Sequence, residues 1–222
     1  MKTTILSLIF IILAGCTMDN YYDRFPYYKF DTSDNTLISK YNYSIGQIIT
    51  YENQFGDKLH FKIISNETKK FGDYSHGTFS GGGGILEAYY DSKIIRFEII
   101  ENQANLTEEQ VCYIFSKSEN NFKNGIKFPI WNFEEFTFFD EMDRPYNIDL
   151  REYINYENKQ MTLNGHLFEK VIVIDSGNGI PKPNSWDAIL PNNVNQLYYD
   201  YDFGIIQFND IDGKQWKLIY PI

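Results

Sequence analysis

The residues able to do chemistry in this 222-residue chain are few and scattered. Its three histidines, His60, His76 and His166, stand far apart. No His-x-His, His-Glu-x-x-His or paired-cysteine spacing puts two metal ligands on one element, so no metal site is expected. No serine lies in the Gly-x-Ser-x-Gly elbow that exposes a nucleophile. Strand alternation sets His60 opposite Leu59, Phe61 and Ile63, toward solvent, and His166 follows a turn where exposure is again expected. The carboxylates cluster as Glu134-Glu135, Asp140-Glu141-Met142-Asp143, Asp200/Asp202 and Asp210/Asp212. Counting from Asp200, Ile211 occupies the twelfth position, where a calcium loop of the EF-hand kind requires glutamate. Asp210-Ile211-Asp212-Gly213 suits a tight turn in which aspartate caps backbone N–H groups. A carboxylate pair working across a glycosidic bond would have to be assembled by the fold, since sequence does not give its separation. No catalytic residue is assigned and no cofactor is expected.

Three further features stand out. Gly81-Gly82-Gly83-Gly84 precedes Ile85-Leu86-Glu87-Ala88-Tyr89-Tyr90, which reads as a strand. A phosphate cradle needs a helix or a Gly-Lys-Ser/Thr behind its glycines, so a flexible hairpin tip is expected instead. Cys112 sits in the apolar run Val111-Cys112-Tyr113-Ile114-Phe115 and is expected to be a buried, inert thiol. Aromatic residues make up 18% of the chain, so most must be core and cross-strand pairs. Trp186 is the one named candidate for a binding surface, because Gly177-Asn178-Gly179-Ile180-Pro181-Lys182-Pro183-Asn184 makes its surroundings a loop. The competing role for Trp186 is to cap one end of the core.

The N-terminus is more specific. Lys2 supplies a positive charge, an apolar stretch runs to Leu13, and Ala14-Gly15-Cys16 follows. A charged start, an apolar stretch of about 7–15 residues and a small-residue cleavage site are the marks of a secretory signal. The stretch is too short to span the hydrocarbon of a bilayer, which needs about 20 residues. Leu13-Ala14-Gly15-Cys16 resembles the lipobox of bacterial lipoproteins, which implies a diacylglycerol on the Cys16 thiol and cleavage just before it. Thr17 behind the cysteine resembles the outer-membrane sorting pattern, and the leaflet stays open.

The chain divides into a signal peptide over residues 1–15, a lipidated cysteine with tether over 16–39, and a β-rich domain over 40–222. The tether carries Tyr21, Tyr22, Phe25, Tyr27, Tyr28 and Phe30, more aromatic surface than a plain spacer needs. The net charge of −10 becomes one unit more negative once Lys2 is removed. Such an acidic balance disfavours nucleic acid, whose binding depends on Lys and Arg neutralising phosphates. It equally disfavours a polybasic grip on anionic lipid, which leaves acyl chains on Cys16 as the membrane partner.

The elements that would position these residues are strands. Leu59, Phe61 and Ile63 alternate with His60 and Lys62, Ile95, Phe97 and Ile99 with Arg96 and Glu98, and Phe136 and Phe138 flank Thr137. Between the runs stand turn residues at Asn53–Asp57, Asp91-Ser92, Asn164-Gly165 and Asp212-Gly213. Asn164-Gly165 between two apolar runs predicts a type I′ hairpin, because both residues tolerate φ > 0. The unbroken Val171-Ile172-Val173-Ile174 predicts a strand covered on both sides. Helix signals are confined to Thr107-Glu108-Glu109-Gln110, a capping-box pattern, and to one turn at Ser185–Leu190. The fold class is mainly β: a single antiparallel curved sheet of roughly 9–12 strands, half-barrel or sandwich, with at most one or two short helices.

Several of these segments resemble uncharacterised cell-envelope lipoproteins of Bacteroidota-type bacteria. They are residues 162–168 running into Lys170–Ile174, the tyrosine-rich 197–208 followed by 210–216, and residues 44–51 with Gly56-Asp57. The likeness covers about half the chain, implies a curved one-sided sheet, and supplies no activity. The expected function is that of a non-enzymatic cell-envelope lipoprotein, lipid-anchored at the outer membrane, that binds a ligand, glycan or protein partner. The alternatives are a carbohydrate-binding accessory protein, a periplasmic immunity or inhibitor protein, and last a glycoside hydrolase.

Overall fold

The computed structural model describes residues 25–75, 84–102, 110–119, 121–132, 138–139, 145–180 and 189–220. Cys16, Trp186, His76 and the clusters at Glu134-Glu135 and Asp140–Asp143 lie outside the described residues. So do Gly81–Gly83, Phe136-Thr137, the capping-box residues Thr107–Glu109 and most of Ser185–Leu190.

The strands, in chain order, are β1 (Tyr27–Tyr28), β2 (Ile48–Glu52), β3 (Lys58–Ser75), β4 (Ile85–Ile99), β5 (Val111–Lys117), β6 (Phe122–Lys127) and β7 (Phe138–Phe139). They continue as β8 (Pro145–Tyr146), β9 (Ile148–Asp149), β10 (Lys159–Leu163), β11 (His166–Asp175), β12 (Val194–Asp200), β13 (Gly204–Asp210) and β14 (Gln215–Leu218). Helical structure among the described residues is limited to short 3₁₀ turns at Asp34–Thr36, Ile100–Asn102 and Leu150–Tyr153. None of these is long and apolar enough to cross a membrane.

Two compact units are present. Residues 25–27, 72–75 and 84–89 form the smaller. Its Tyr89 N–H donates to the Pro26 carbonyl at 2.7 Å, and Gly72 leaves room for the Tyr74 ring and Leu86, which a Cβ there would meet at 2.7 and 2.8 Å. Residues 28–71 and 90–220 form the larger. Here the antiparallel sheet curls into a half-barrel. The 12-stranded sheet runs β10-β11-β12-β13-β14-β2-β3-β4-β5-β6-β9, with β1 on β4 beside this path and β7-β8 a separate pair.

Alternation sends the large rings to the interior. Leu59, Phe61 and Ile63 are buried while Lys62 is exposed, and Ile95, Phe97 and Ile99 are buried around the exposed Glu98. The concave side is filled rather than open. Tyr51 lies 4.8 Å from Phe61 and 5.1 Å from Phe208, and Phe97 lies 4.9 Å from Tyr113, all tilted pairs. Each such side chain contributes about 1.5–3 kcal/mol by burial, and well-oriented ring pairs add about 0.5–1.5 kcal/mol. Strand β5 is buried on both faces. Val111, Tyr113 and Phe115 point into this core, while Cys112 and Ile114 join Ile94 and Tyr146 in a second cluster. Gly125 lets Tyr146 lie flat on the sheet there, since a Cβ would sit 2.5 Å from its ring. Cys112 is buried, as its apolar run indicates, and its thiol lies 3.8 Å from the Gln110 carbonyl.

The hairpin expected at Asn164-Gly165 is present. Leu163 pairs with His166, and the two turn residues have φ of 49° and 82°. The Asn164 amide also donates to the Leu218 carbonyl at 2.7 Å, tying the tip to β14. Gly165→Val, which puts a β-branched residue at positive φ, is expected to cost about 1–3 kcal/mol. An unchanged melting temperature would show that the turn tolerates a side chain without strain.

One turn expectation is corrected. Asp91 and Ser92 lie within β4, not between strands. The Asp91 carboxylate accepts the Phe30 N–H at 2.9 Å, and Ser92 is wholly buried. Asp91 therefore serves a backbone N–H distant in the chain, and the strand runs through the pair. Asp34, Ile38 and Ser39, within the segment assigned as tether, are buried.

Candidate functional site

The clearest concave feature with both rings and charges is a surface hollow of about 360 Å³. Three segments build it, together with Tyr220 just after β14. The first is the start of β11, where His166 and Phe168 share one face by period-2 spacing. Phe168 is buried and His166 half-buried. The second is the β12–β13 turn. The Asp200 carboxylate accepts N–H groups from Asp202 and Phe203 at 2.9 Å and from Lys170 at 3.0 Å, so the turn and β11 are locked together. The third is Ser39–Tyr41, whose Lys40 and Tyr41 N–H groups both donate to the Asp202 carbonyl at 2.9 Å.

Rings form the floor and charges the rim. His166 stacks on Tyr220 with centroids 4.0 Å apart and meets Phe168 at 4.6 Å. Phe168 reaches Phe203 at 5.7 Å, and Tyr41 lies 4.7 Å from the same ring. At the rim, Asp202 Oδ1 accepts Lys40 Nζ at 2.9 Å and Lys170 Nζ at 3.0 Å. Burial raises the Asp202 carboxyl, but the two lysines outweigh it and hold the group below the ordinary aspartate value. The same carboxylate holds Lys40 above the ordinary lysine value. Lys40, Asp202 and Lys170 thus form one network beside flat rings, and the exposed Glu169 adds a further carboxylate to the lining.

Asp200 and Asp210 serve turns. Asp210 Oδ1 accepts from the Asp212 N–H at 3.0 Å and the Lys214 N–H at 2.9 Å, and its Oδ2 lies 3.4 Å from Trp216 Nε1. Among the described residues, no three His, Cys, Asp or Glu side chains are grouped to hold a metal ion. Both described histidines depart from the solvent-facing expectation. His60 is half-buried, with its ring Nδ1 paired to Glu101 and its N–H donating to the same carboxylate at 2.8 Å. His166 is half-buried because Tyr220 covers it. Of the residues singled out in the sequence, the hollow unites His166, Asp200 and Asp202. Lys40, Tyr41, Lys170 and Tyr220 carry no local signal and are brought in by pairings far apart in the chain.

Two other depressions are less suited to a ligand. A groove of about 330 Å³ is lined by Gln54, Asn164, Gln215 and Lys217, among others, but the Gln54 and Asn164 amides are used internally. Gln54 alone bonds the Gly213 carbonyl and the Gln215 N–H, at 2.8 and 2.9 Å. A smaller one of about 160 Å³ lies over Trp216 and Leu190.

No family model matches the chain, and no curated protein or solved structure matches it either.

Proposed function

We propose that this chain is a non-enzymatic lipoprotein of the cell envelope, anchored by lipid on Cys16 and probing its surroundings with a ligand-binding β half-barrel. The anchor rests on the lipobox likeness of Leu13–Cys16 and on the likeness of the strand segments to Bacteroidota-type lipoproteins. The binding role rests on one observation: the hollow offers rings and paired charges held by backbone bonds, with its buried carboxylate, Asp200, fully engaged in N–H contacts. The outer membrane is the proposed location, and a net charge of −10 disfavours nucleic acid as a partner.

The anchor is tested by Cys16→Ser. Wild-type protein is expected to take up a palmitate label and fractionate with membrane, and the variant to lose the label and become soluble. A wild type without label, or a variant that stays with membrane, removes the lipoprotein reading.

A further inference from the structure

We infer that the hollow beside His166 and Tyr220 is a binding site for a neutral saccharide. This deepens the proposed binding role and rests on it. The argument starts from charge. Lys40 and Lys170 both point at one oxygen of Asp202, and Asp200 is buried against three N–H groups. An anionic ligand would have to compete with Asp202 for its lysines and would face Glu169, an exposed carboxylate in the same lining, while a cationic one would meet the two lysine ammoniums. A ligand without net charge avoids both like-charge contacts. A polyol has the complementary chemistry: each hydroxyl both donates and accepts, so neighbouring hydroxyls bridge an ammonium and a carboxylate without separating them.

The floor selects further. The half-buried rings of Tyr41 and Tyr220, the latter stacked on His166, give flat apolar surface next to that polar rim. One face of a pyranose carries C–H groups and matches such a ring, while its edge carries the hydroxyls. A purely apolar ligand would strand the rim, and its polar groups would lose water without compensation. The volume of about 360 Å³ lies at the lower end of ligand sites and suits one or two sugar rings of a longer chain. The hollow is also ready-made. Ser39–Tyr41, the 200–203 turn and β11 are stitched by backbone bonds, so little ordering is left to oppose binding.

The test uses the full-length protein in mild detergent and affinity electrophoresis through gels containing neutral polysaccharides (glucan, mannan, xylan, galactan) or acidic ones (polygalacturonate, alginate). At least one neutral polysaccharide should retard the protein. Tyr220→Ala and, separately, Lys170→Met should weaken that retardation about tenfold, the scale of one well-placed contact, with melting temperature preserved. Two variants are used so that a folding defect in one does not decide the result. Retardation by acidic polysaccharide alone overturns the neutral-saccharide assignment and leaves the binding role standing. Full-strength neutral retardation in both folded variants moves the site away from this hollow and overturns the inference. If no polysaccharide retards the protein, and oligosaccharides, amino acids and short peptides leave the His166, Lys170 and Asp202 amide resonances unmoved, the hollow is not a binding site and the proposed role falls with the inference.

Discussion

Gly204→Ala is expected to remove about 3–5 kcal/mol of folding stability, which for a chain of this size lowers Tm by roughly 6–20 °C. Gly204 has φ +115°, a region that L side chains rarely adopt. A Cβ there would sit 2.6 Å from the Tyr43 hydroxyl and 2.7 Å from the Tyr113 ring. Neither ring can step aside. Tyr43 packs on Phe97 at 5.2 Å and Tyr41 at 4.8 Å, while Tyr113 packs on Phe97 at 4.9 Å and Tyr199 at 5.9 Å. Their hydroxyls clasp the backbone on either side of the glycine. Tyr43 donates to the Phe203 carbonyl, and the Tyr113 oxygen accepts the Ile205 N–H at 2.9 Å. Tyr51 adds a third bond, to the Ile205 carbonyl at 2.8 Å. The clasp coincides with a bulge, since Tyr198 pairs with Gln207 but Tyr199 with Ile205, which leaves Ile206 over. Thermal melts followed by circular dichroism check this. Tyr43→Phe should recover part of the loss in the double variant, because it removes the nearest atom. A loss under about 1 kcal/mol would mean that the rings yield and the clasp is loose.

The same tyrosines should make the protein collapse cooperatively in alkali. Burial raises the pKa of Tyr43, Tyr51, Tyr113 and Tyr199 above the ordinary value, and that of Tyr201 is pushed up to about 12. The folded values exceed the unfolded one, so this stabilisation is intact below about pH 10 and is lost as pH rises above it. At one unit above that value each tyrosine favours the unfolded chain by about 1.4 kcal/mol, and five together by about 7 kcal/mol, comparable to the whole stability of a typical domain. Tyrosinate absorbance and far-UV circular dichroism, followed together against pH, should therefore change in one shared step near about pH 11. If five additional tyrosines ionise smoothly near pH 10 with the dichroism unchanged, those hydroxyls are in contact with water and the packing described here is wrong.

The strands themselves were legible in the sequence because one covered face leaves a period of two. Leu59-His60-Phe61-Lys62-Ile63 and Ile95-Arg96-Phe97-Glu98-Ile99 show it, and β3 and β4 contain them. Asn164-Gly165 was legible because its positive φ values restrict the residue types. Asp91-Ser92 misled because aspartate beside serine is a turn signal only when its local N–H groups are the available donors. Here the donor is Phe30, far away in the chain. The hollow was hidden for a similar reason. His166 read as a surface residue after a turn, since nothing near it in sequence announces Tyr220 above it or the Lys40–Asp202–Lys170 network alongside. In a chain with 18% aromatics, the few rings that face a ligand carry the same letters as the many that fill the core.

Strand β14 pairs with β2, Lys217 opposite Glu52 and Leu218 opposite Tyr51, in the middle of the sheet. The half-barrel is thus joined at its waist by two strands from nearly opposite ends of the chain. A polypeptide that emerges N-terminus first holds β2 with one edge open until β14 has appeared. The β2–β3 and β5–β6 hairpins have neighbours early, and Trp131 bridges Val194 across the flanks, but the sheet becomes continuous through β2 only once β14 has paired. Such long-range closure makes assembly slow, and the waiting edge is open to pairing with another chain. Completion of this sheet is timed by β14.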